Sequence, residues 1–493
     1  MLKSIIAERD PALVGPAERT TSVRWALAGL SLSMLLSSLG TSIANVALPT
    51  LAQAFAATFQ DVQWIVLAYL LAITTLIVSV GRLGDIAGRR RLLLAGIALF
   101  TVASAVCGLA PTLWLLIASR AAQGLGAAVM MALTMAFVGE TVPKARTGVA
   151  MGLLGTMSAI GTALGPSLGG VLISGPGWRA IFLVNVPLGL VTFLITYRAL
   201  PADRGTKQDS EIAPTNGRAG FDILGTLLLA LTLAAYALAM TIGRGSFGAL
   251  NIALLLAAVF GAGLFVLAER TAPSPLIRLA MFSTPRLSAS LTMSVLVSTV
   301  MMATLVVGPF YLSGALGLDA ARLGIVLSVG PLVVALTGVP AGRIADRFGA
   351  QRMTVAGLVG IAAGSFLLSM LPVTLGIAGY VAPLVIVTAG YALFQTANNT
   401  AVMTDISPNQ RGVISGMLNL SRNLGLITGA SVMGAVFMFA SAATDITTAS
   451  PQAVATGMRI TFAVAGALIV AALAIAFASR TDAARTPPPA DGS

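Results

Sequence analysis

The sequence predicts an all-α integral membrane protein in which fourteen transmembrane helices form two related six-helix halves plus an inserted helix pair. Three observations predict this class. Of the 493 residues, 57% are hydrophobic and only 9% are charged, so most of the chain cannot face water. Long apolar stretches recur along the chain, and one glycine- and arginine-rich motif occurs twice.

The apolar stretches are each close to the ~20 residues that a helix needs to cross a bilayer. They lie at about 25–52, 62–80, 92–110, 113–139, 148–173, 180–197, 222–242, 252–268, 287–312, 323–341, 353–371, 379–403, 413–437 and 458–479. An even number of crossings puts both termini on the same side of the membrane.

The repeated motif lies in a loop in both copies. The first reads Gly81-Arg82-Leu83-Gly84-Asp85-Ile86-Ala87-Gly88-Arg89-Arg90-Arg91, and the second reads Gly342-Arg343-Ile344-Ala345-Asp346-Arg347-Phe348-Gly349. This repeat indicates a duplicated protein. Because the copies follow helices two and ten, helices seven and eight are predicted to be an insertion between the halves.

These boundaries predict a simple order of segments. It runs from a cytoplasmic tail (1–24) through the first half (25–197), a cytoplasmic linker (198–221), the inserted pair (222–268) and the second half (287–479) to a disordered cytoplasmic tail (480–493).

The charge and the rare residue types exclude several classes. The net charge of +12 comes from Lys and Arg concentrated in loops on one side, which indicates cytoplasmic termini rather than nucleic-acid binding. Cys107 is the single cysteine and there is no histidine, so a disulfide within the chain is excluded, and no cofactor or metal is expected. Without a metal cluster, a histidine or a buried acid pair, an enzyme is disfavoured.

The motif resembles the signature loop of the major facilitator superfamily, which follows the second helix of each half. Fourteen helices in this order resemble its drug:proton antiporter branch. Two further stretches are similar to motifs of this family: Arg120-Ala121-Ala122-Gln123-Gly124 on helix four, and Gly161-Thr162-Ala163-Leu164-Gly165-Pro166 on helix five. The resemblance implies a monomeric multi-pass transporter of the bacterial inner membrane that exports drug-like small molecules in exchange for protons, by alternating access.

The loop motif carries the expected gate. The resemblance implies that Asp85 and Asp346 hold the cytoplasmic side closed, with Arg89 as an available partner for Asp85. Gly81 and Gly88 are expected to permit tight backbone turns. The alternative is a loop that sets topology and has no conformational role.

Helix five is expected to contribute to the same gating. Gly161 and Gly165 are four residues apart and precede Pro166, which predicts a flat stripe for close helix packing. That packing could form the seal between the halves.

Arg120 is the most informative single residue. It lies about nine positions into helix four, too deep for easy snorkelling, so it must face a cavity, water or polar partners. The resemblance implies a role in coupling to protons. The alternative is an arginine that bonds carbonyls or helix ends.

Polar side chains at helical spacing predict a substrate-lining surface on four helices. The alternative is that they join helices, at ~0.6 kcal/mol for each pair. The predicted lining residues are Ser38, Thr41 and Asn45 on helix one, Gln123 on helix four, Gln395, Asn398 and Asn399 on helix twelve, and Asn419, Arg422 and Asn423 on helix thirteen.

The acidic residues restrict the substrate and the coupling. All 17 Asp and Glu map to loops or helix ends, and Gly40 stands where the fourteen-helix exporters usually place an aspartate. A cation out of water needs a negative partner, so a neutral or anionic amphipathic substrate is favoured. If protons are coupled, the candidate carriers are Asp61, Glu140, Asp405 or the substrate. A facilitator or importer, a channel and a non-transporting sensor remain alternatives.

Overall fold

The computed structural model describes residues 16–77, 79–141, 147–200, 222–242, 248–272, 285–370, 372–403, 411–442, 446 and 448–485. Within these ranges the chain is helical and has no strand. Fourteen helices are long and apolar enough to cross a membrane, which confirms the predicted number.

These helices are numbered here as spans 1 to 14 in chain order. The spans are Val23–Ala54, Phe59–Ile77, Arg89–Leu109, Leu113–Val138, Leu153–Ser174, Ala180–Ala199, Ile223–Thr241, Ala249–Thr271, Pro285–Ala315, Ala320–Gly338, Ala350–Met370, Val373–Val402, Met417–Ala440 and Pro451–Ser479. Several helices run beyond their spans, at Pro16–Ala54, Leu113–Thr141, Thr147–Ser174, Ala320–Phe348 and Pro451–Arg485.

The two copies of the loop motif have the same backbone geometry at their last glycine. Gly88 has φ 89° and ψ 123°, and Gly349 has φ 89° and ψ 131°. Each donates its N–H to the carbonyl four residues earlier, Gly84 and Ala345 respectively. The positive φ favours glycine, so the duplication is visible in the backbone. We call the end of the molecule that carries these two glycines the motif end, and the other end the opposite end.

The turn predicted at Gly81 is wrong. Gly81 lies inside a short helix, Val80–Ala87, and it is not among the residues with positive φ. A Cβ added at Gly81 would meet no atom within 4 Å, so neither a turn nor a close approach requires glycine there.

Small residues bring the helices of each half together in equivalent places. A Cβ at Gly126 of span 4 would lie 2.7 Å from the carbonyl oxygen of Gly96 in span 3, and a Cβ at Gly390 of span 12 would lie 2.8 Å from that of Gly357 in span 11. Lipid supplies no hydrophobic drive between helices, so such close backbone contact is what holds spans together. The pairs 3–4 and 11–12 occupy corresponding positions in the two halves.

The inserted pair, spans 7 and 8, packs along the boundary between the halves. Span 7 contacts span 2 of the first half and span 13 of the second. It is capped by Asp222, whose Oδ1 accepts from Gly225 N at 2.7 Å, and it is tied to the first half by Ser79 Oγ and Thr226 Oγ1, 3.1 Å apart. Span 8 lies further out, since Phe260 is 69% exposed.

The apolar core is shared between the halves only in part. One cluster contains span 1 and 2 residues such as Leu48 and Phe59 together with Phe310 and Phe437 of the second half. Near the motif end the described residues form separate clusters. The first half has its own, which includes Leu30, and the second half has Leu287, Leu291, Val402, Ile414, Met417 and Leu418.

Candidate functional site

The site is the boundary between the two halves, which we call the seam, and its opposite end is closed by aromatic rings. Phe59, at the start of span 2, packs edge-on against Phe310 of span 9, with ring centroids 4.7 Å apart and an interplanar angle of 79°. It also packs against Phe437 of span 13 at 5.7 Å and 65°. Such edge-to-face pairs are a favoured aromatic geometry, and here they join the two halves.

One hydrogen bond crosses the seam beside these rings. Gln63 Nε2 donates to the carbonyl oxygen of Ala430 at 3.0 Å. Ala430 lies in a π-helical segment, Gly429–Met433, within span 13, and such segments alter the regular backbone bonding of a helix. Gly434 makes room for the amide, because a Cβ there would overlap Gln63 Nε2. Gln63 is not among the residues predicted from the sequence, although an amide in an apolar stretch is itself a signal.

Spans 5 and 10 close the seam through glycine. A Cβ at Gly324 of span 10 would lie 2.9 Å from Gly170 Cα and would overlap the carbonyl oxygen of Pro166, both in span 5. Towards the motif end of the same helices, a Cβ at Gly155 or Gly338 would meet no atom within 4 Å. The close approach is therefore confined to the opposite end.

The helix-five stripe divides between two partners. Gly161 and Gly165 pack against span 1, where their Cβ atoms would lie 3.1 Å and 2.7 Å from the Cβ atoms of Ser38 and Ser42. Pro166 and Gly170 contact span 10. The two predicted glycines thus hold the first half together, and the contact across the seam begins at the proline.

Arg120 is completely buried inside the first half. Its Nε donates to the carbonyl oxygen of Ile65 at 3.0 Å, one Nη donates to Gln123 Oε1, and its guanidinium lies 4.1 Å from the ring centroid of Tyr69. Of the three environments predicted for Arg120, the structure shows polar partners. The remaining Nη has no hydrogen-bond partner among the described residues.

Gln123 extends this network and corrects a prediction. Its Nε2 donates to Ser104 Oγ of span 3 at 2.6 Å, and its side chain is 0% exposed. In this conformation Gln123 joins spans 3 and 4 and does not line a substrate cavity. Tyr69 and Ser104 were missed because they lie on other helices and carry no signal of their own.

The polar residues of span 1 also form contacts between and within helices. Ser38 Oγ is 2.7 Å from Ser158 Oγ of span 5. Asn45 is 1% exposed, and its Nδ2 donates to the carbonyl oxygen of Thr41 at 3.2 Å. Thr41 itself is half-buried and donates to the carbonyl oxygen of Ser37. The prediction that Ser38 and Asn45 line a cavity is not met in this conformation.

The polar residues of spans 12 and 13 separate in the same way. Asn398 is buried and donates through Nδ2 to Ser294 Oγ at 3.1 Å, which ties span 12 to span 9. Asn423 is buried as well. Gln395, Asn399, Asn419 and Arg422 are half-buried. The half-buried members of the predicted set, which we call the candidate face, are Thr41, Gln395, Asn399, Asn419 and Arg422.

The described acids have structural partners. Asp61 caps span 2, since its Oδ2 accepts from Thr58 N at 3.2 Å and from Thr58 Oγ1 at 2.6 Å. The predicted residue Asp405 and the side chains of Asp85, Glu140 and Asp346 lie outside the part of the chain that is described. Arg89, also predicted, is half-buried at the start of span 3.

One buried acid was missed. Glu269 lies near the motif end of span 8 and is 3% exposed, because span 7 packs over it. A Cβ at Gly225 would lie 2.7 Å from Glu269 Oε1, so the glycine makes room for the carboxylate. The position near a helix end gave no sign of this burial. No group of three or more His, Cys, Asp or Glu suited to a metal ion occurs in the part of the chain that the structure describes.

Comparisons with known proteins agree with this architecture. The family model described as Major Facilitator Superfamily matches residues 30–430. The chain is 32% identical to "Uncharacterized transporter YebQ" of Escherichia coli (strain K12), over 82% of this chain and 86% of that protein. It is 31% identical to "Multidrug resistance protein Stp" of Mycobacterium tuberculosis (strain ATCC 25618 / H37Rv), over 85% and 76%. A bacterial homologue of the human lysosomal transporter Spinster, solved in an inward-facing, unoccupied conformation, has the same fold, with a TM-score of 0.67, 16% identity and coverage of 95% and 99%.

Proposed function

Since this chain belongs to the Major Facilitator Superfamily, we propose that it is a secondary active transporter that exports amphipathic small molecules, neutral or anionic, in exchange for protons. The chain is a multi-pass membrane transporter rather than an enzyme. The direction, the substrate class and the coupling are the parts that we propose.

One observation carries the proposal: the halves are packed together at the opposite end and have separate cores at the motif end. Two related halves that meet at one end can rock about a central site and meet at the other end instead. The basic loops favour a cytoplasmic motif end. The conformation described here would then be open to the cytoplasm, where an exporter collects its substrate.

The candidate face supports the choice of substrate. Thr41, Gln395, Asn399 and Asn419 offer hydroxyl and amide groups, and Arg422 adds a cation whose Nε has no hydrogen-bond partner among the described residues. A cationic substrate would leave its own charge without compensation there, whereas an anionic group could pair with Arg422. The name of the relative Stp, a multidrug resistance protein, supports export of drug-like compounds.

Proton coupling needs a group that changes its protonation state. Gly40 removes the acid expected on span 1, and Asp61 is engaged as a helix cap. We therefore favour Glu140, Asp405 or an acidic substrate as the carrier, with Asp61 after them. Arg120 would contribute by fixing spans 2, 3 and 4 as one unit.

Transport by the purified full chain in proteoliposomes tests the proposal. The substrates are matched amphipathic dyes that are anionic, neutral or permanently cationic, each assayed with and without a pH gradient. We expect gradient-driven accumulation of the anionic and neutral dyes. In the Arg422→Gln variant, transport of the anionic dye should fall while that of the neutral dye persists. The matched control is Arg322→Gln, because Arg322 is 73% exposed and pairs with Asp319 at the opposite end.

Each contrary outcome removes a stated part of the proposal. Dye uptake that is the same with and without the pH gradient would refute antiport and favour a facilitator. The absence of an acid at Gly40 keeps that alternative open. Preference for the cationic dye would refute the substrate class. Saturation at low concentration is expected of a transporter, and a rate that never saturates would favour a channel.

A further inference from the structure

Spans 1, 3 and 6 converge at the motif end, on the outside of the first half. Ala26, Leu93 and Leu200 are buried in the same cluster there. Spans 1 and 6 approach closely, since a Cβ at Gly29 would lie 3.3 Å from the backbone nitrogen of Thr196. Because span 6 contacts both span 1 and span 3, the residues exposed beside these three buried ones lie on adjoining helices.

Three exposed arginines lie at this convergence. Arg24, Arg91 and Arg198 each precede one of the three buried residues by two positions, which is about 3 Å along a helix axis. Arg24 and Arg198 make no ion pair with any residue that the structure describes. Spans 1 and 3 begin at the motif end and span 6 ends there, so the three guanidinium groups lie at the motif ends of three helices that share one apolar cluster.

Aromatic rings lie beside the arginines. Trp25 is 56% exposed and Tyr197 is 55% exposed. Arg90 donates to the carbonyl oxygen of Tyr197 at 2.6 Å, and its guanidinium lies 5.0 Å from the Tyr197 ring centroid. Trp and Tyr favour the boundary between headgroups and acyl chains, so this surface lies where lipid phosphates are found.

We propose that this surface, which we call the basic-aromatic surface, binds a phospholipid with an anionic headgroup in the leaflet at the motif end. It consists of Arg24, Trp25, Arg90, Arg91, Tyr197 and Arg198. Guanidinium groups bind phosphate oxygens in a bidentate way, and clustered basic residues beside a span attract anionic lipid. The exposed rings would lie against the glycerol and upper acyl chain.

The second half lacks part of this arrangement. The second half keeps arginines at the matching helix ends, Arg286, Arg352 and Arg480, but Leu287, Gln351 and Ser479 stand where the first half has Trp25, Arg90 and Tyr197. The proposal therefore assigns the lipid to the first half alone. It does not depend on which substrate is carried, because the surface lies on the outside of the bundle.

Native mass spectrometry of the purified full chain tests the assignment, with phosphatidylglycerol and phosphatidylcholine titrated separately. We expect preferential binding of phosphatidylglycerol. Arg24→Gln and Arg198→Gln should each weaken it about fivefold, and the double variant should weaken it further. Arg91→Gln should weaken it as well, and its matched control Arg352→Gln, in the equivalent position of the other half, should change it by less than about twofold.

Two outcomes would overturn the proposal. One is equal binding of the two lipids by the unaltered chain. The other is an equal loss of binding in Arg352→Gln and the first-half variants. The thermal unfolding midpoint of each variant, measured without added lipid, separates lost binding from lost folding. If a single variant unfolds, Tyr197→Leu provides the second test, since it removes the ring from an exposed position and should also weaken binding.

Discussion

The two ends of the seam are built in different ways. At the opposite end, backbone meets backbone at Gly170 and Gly324, and Phe59 packs against rings of the other half. At the motif end, the first and second halves have separate apolar clusters, and the space around Gly155 and Gly338 is open. The same pair of helices, spans 5 and 10, takes part in both.

The difference indicates how the closed end could open. The described contacts that join the halves there include ring packing, other apolar contacts, glycine contacts and one amide hydrogen bond, and none of these is an ion pair. Ring and glycine contacts depend on shape, so they are lost together when the halves tilt. By contrast, Arg120 and Gln123 tie helices within one half and should survive the motion. Four experiments test this division, from the largest expected effect on transport, through the largest on stability, to the smallest effect.

Gly324→Val should have the largest effect on transport. The new Cβ would overlap the carbonyl oxygen of Pro166 and lie 2.9 Å from Gly170 Cα, and backbone atoms cannot rotate away. Overpacking costs about 1–3 kcal/mol, so the closed opposite end would become rare and transport should fall at least about tenfold. The matched control is Gly338→Val on the same helix, where no atom lies within 4 Å.

Transport in inverted vesicles, together with distances between spin labels across the seam, would report the result. An equal loss of transport in Gly324→Val and Gly338→Val would show that the contact at Gly324 has no special role. Normal transport by Gly324→Val would show that this closed end is not part of the cycle.

Arg120→Ala should have the largest effect on stability. It removes a buried side chain and leaves the Ile65 carbonyl and the Gln123 amide without their donor, which should lower the free energy of unfolding by about 2–5 kcal/mol. Arg422→Ala, at a half-buried position, should change it by about 1 kcal/mol or less. Thermal unfolding in detergent measures both. A stable Arg120→Ala protein that no longer transports would instead assign Arg120 a direct role in transport.

Gly88→Ala tests the motif end. An alanine at φ 89° costs about 1–2 kcal/mol, and Gly349→Ala, at the same φ, should behave alike. Gly81→Ala is the control, because a helical position with open space gains up to about 1 kcal/mol from alanine. If all three variants were equally destabilised, as measured by denaturant unfolding, the distinction drawn between these glycines would be wrong.

Gln63→Leu should have the smallest effect. It removes one hydrogen bond across the seam, to the Ala430 carbonyl, and one such bond contributes about 1 kcal/mol. Spin-label distances should show a modest shift away from closure at the opposite end. Gln60→Leu, on the same helix, is the control, since Gln60 Oε1 has no partner among the described residues. A larger shift for Gln60→Leu would contradict the geometry.

Some site residues could be predicted because their signal is local. Position 88 requires glycine because of its own positive φ, and Arg120 is recognisable by its depth in an apolar stretch. The partners of Arg120 and Gln123 on other helices, which are Ile65, Tyr69 and Ser104, could not be predicted. The same limit applies to Gly161 and Gly165, whose spacing predicts a packing surface without naming the helix that packs there.

Helical periodicity places polar residues on one face, but it does not say what covers that face. Asn398 and Asn399 are neighbours in the chain, yet Asn398 is buried against span 9 and Asn399 remains half-buried. Glu269 shows the same effect for a charge: it lies near a helix end, where water was expected, and span 7 covers it.

The sequence alone determined the number of spans, the duplication and the inserted pair, because apolar length and a repeated motif are properties of the chain read in order. Only the tertiary structure decided which end of the seam is closed, which polar residues join helices and which remain half-exposed. The physical reason is that these features depend on contacts between helices distant in sequence. The role of a glycine or an aromatic ring there depends on which surface packs against it.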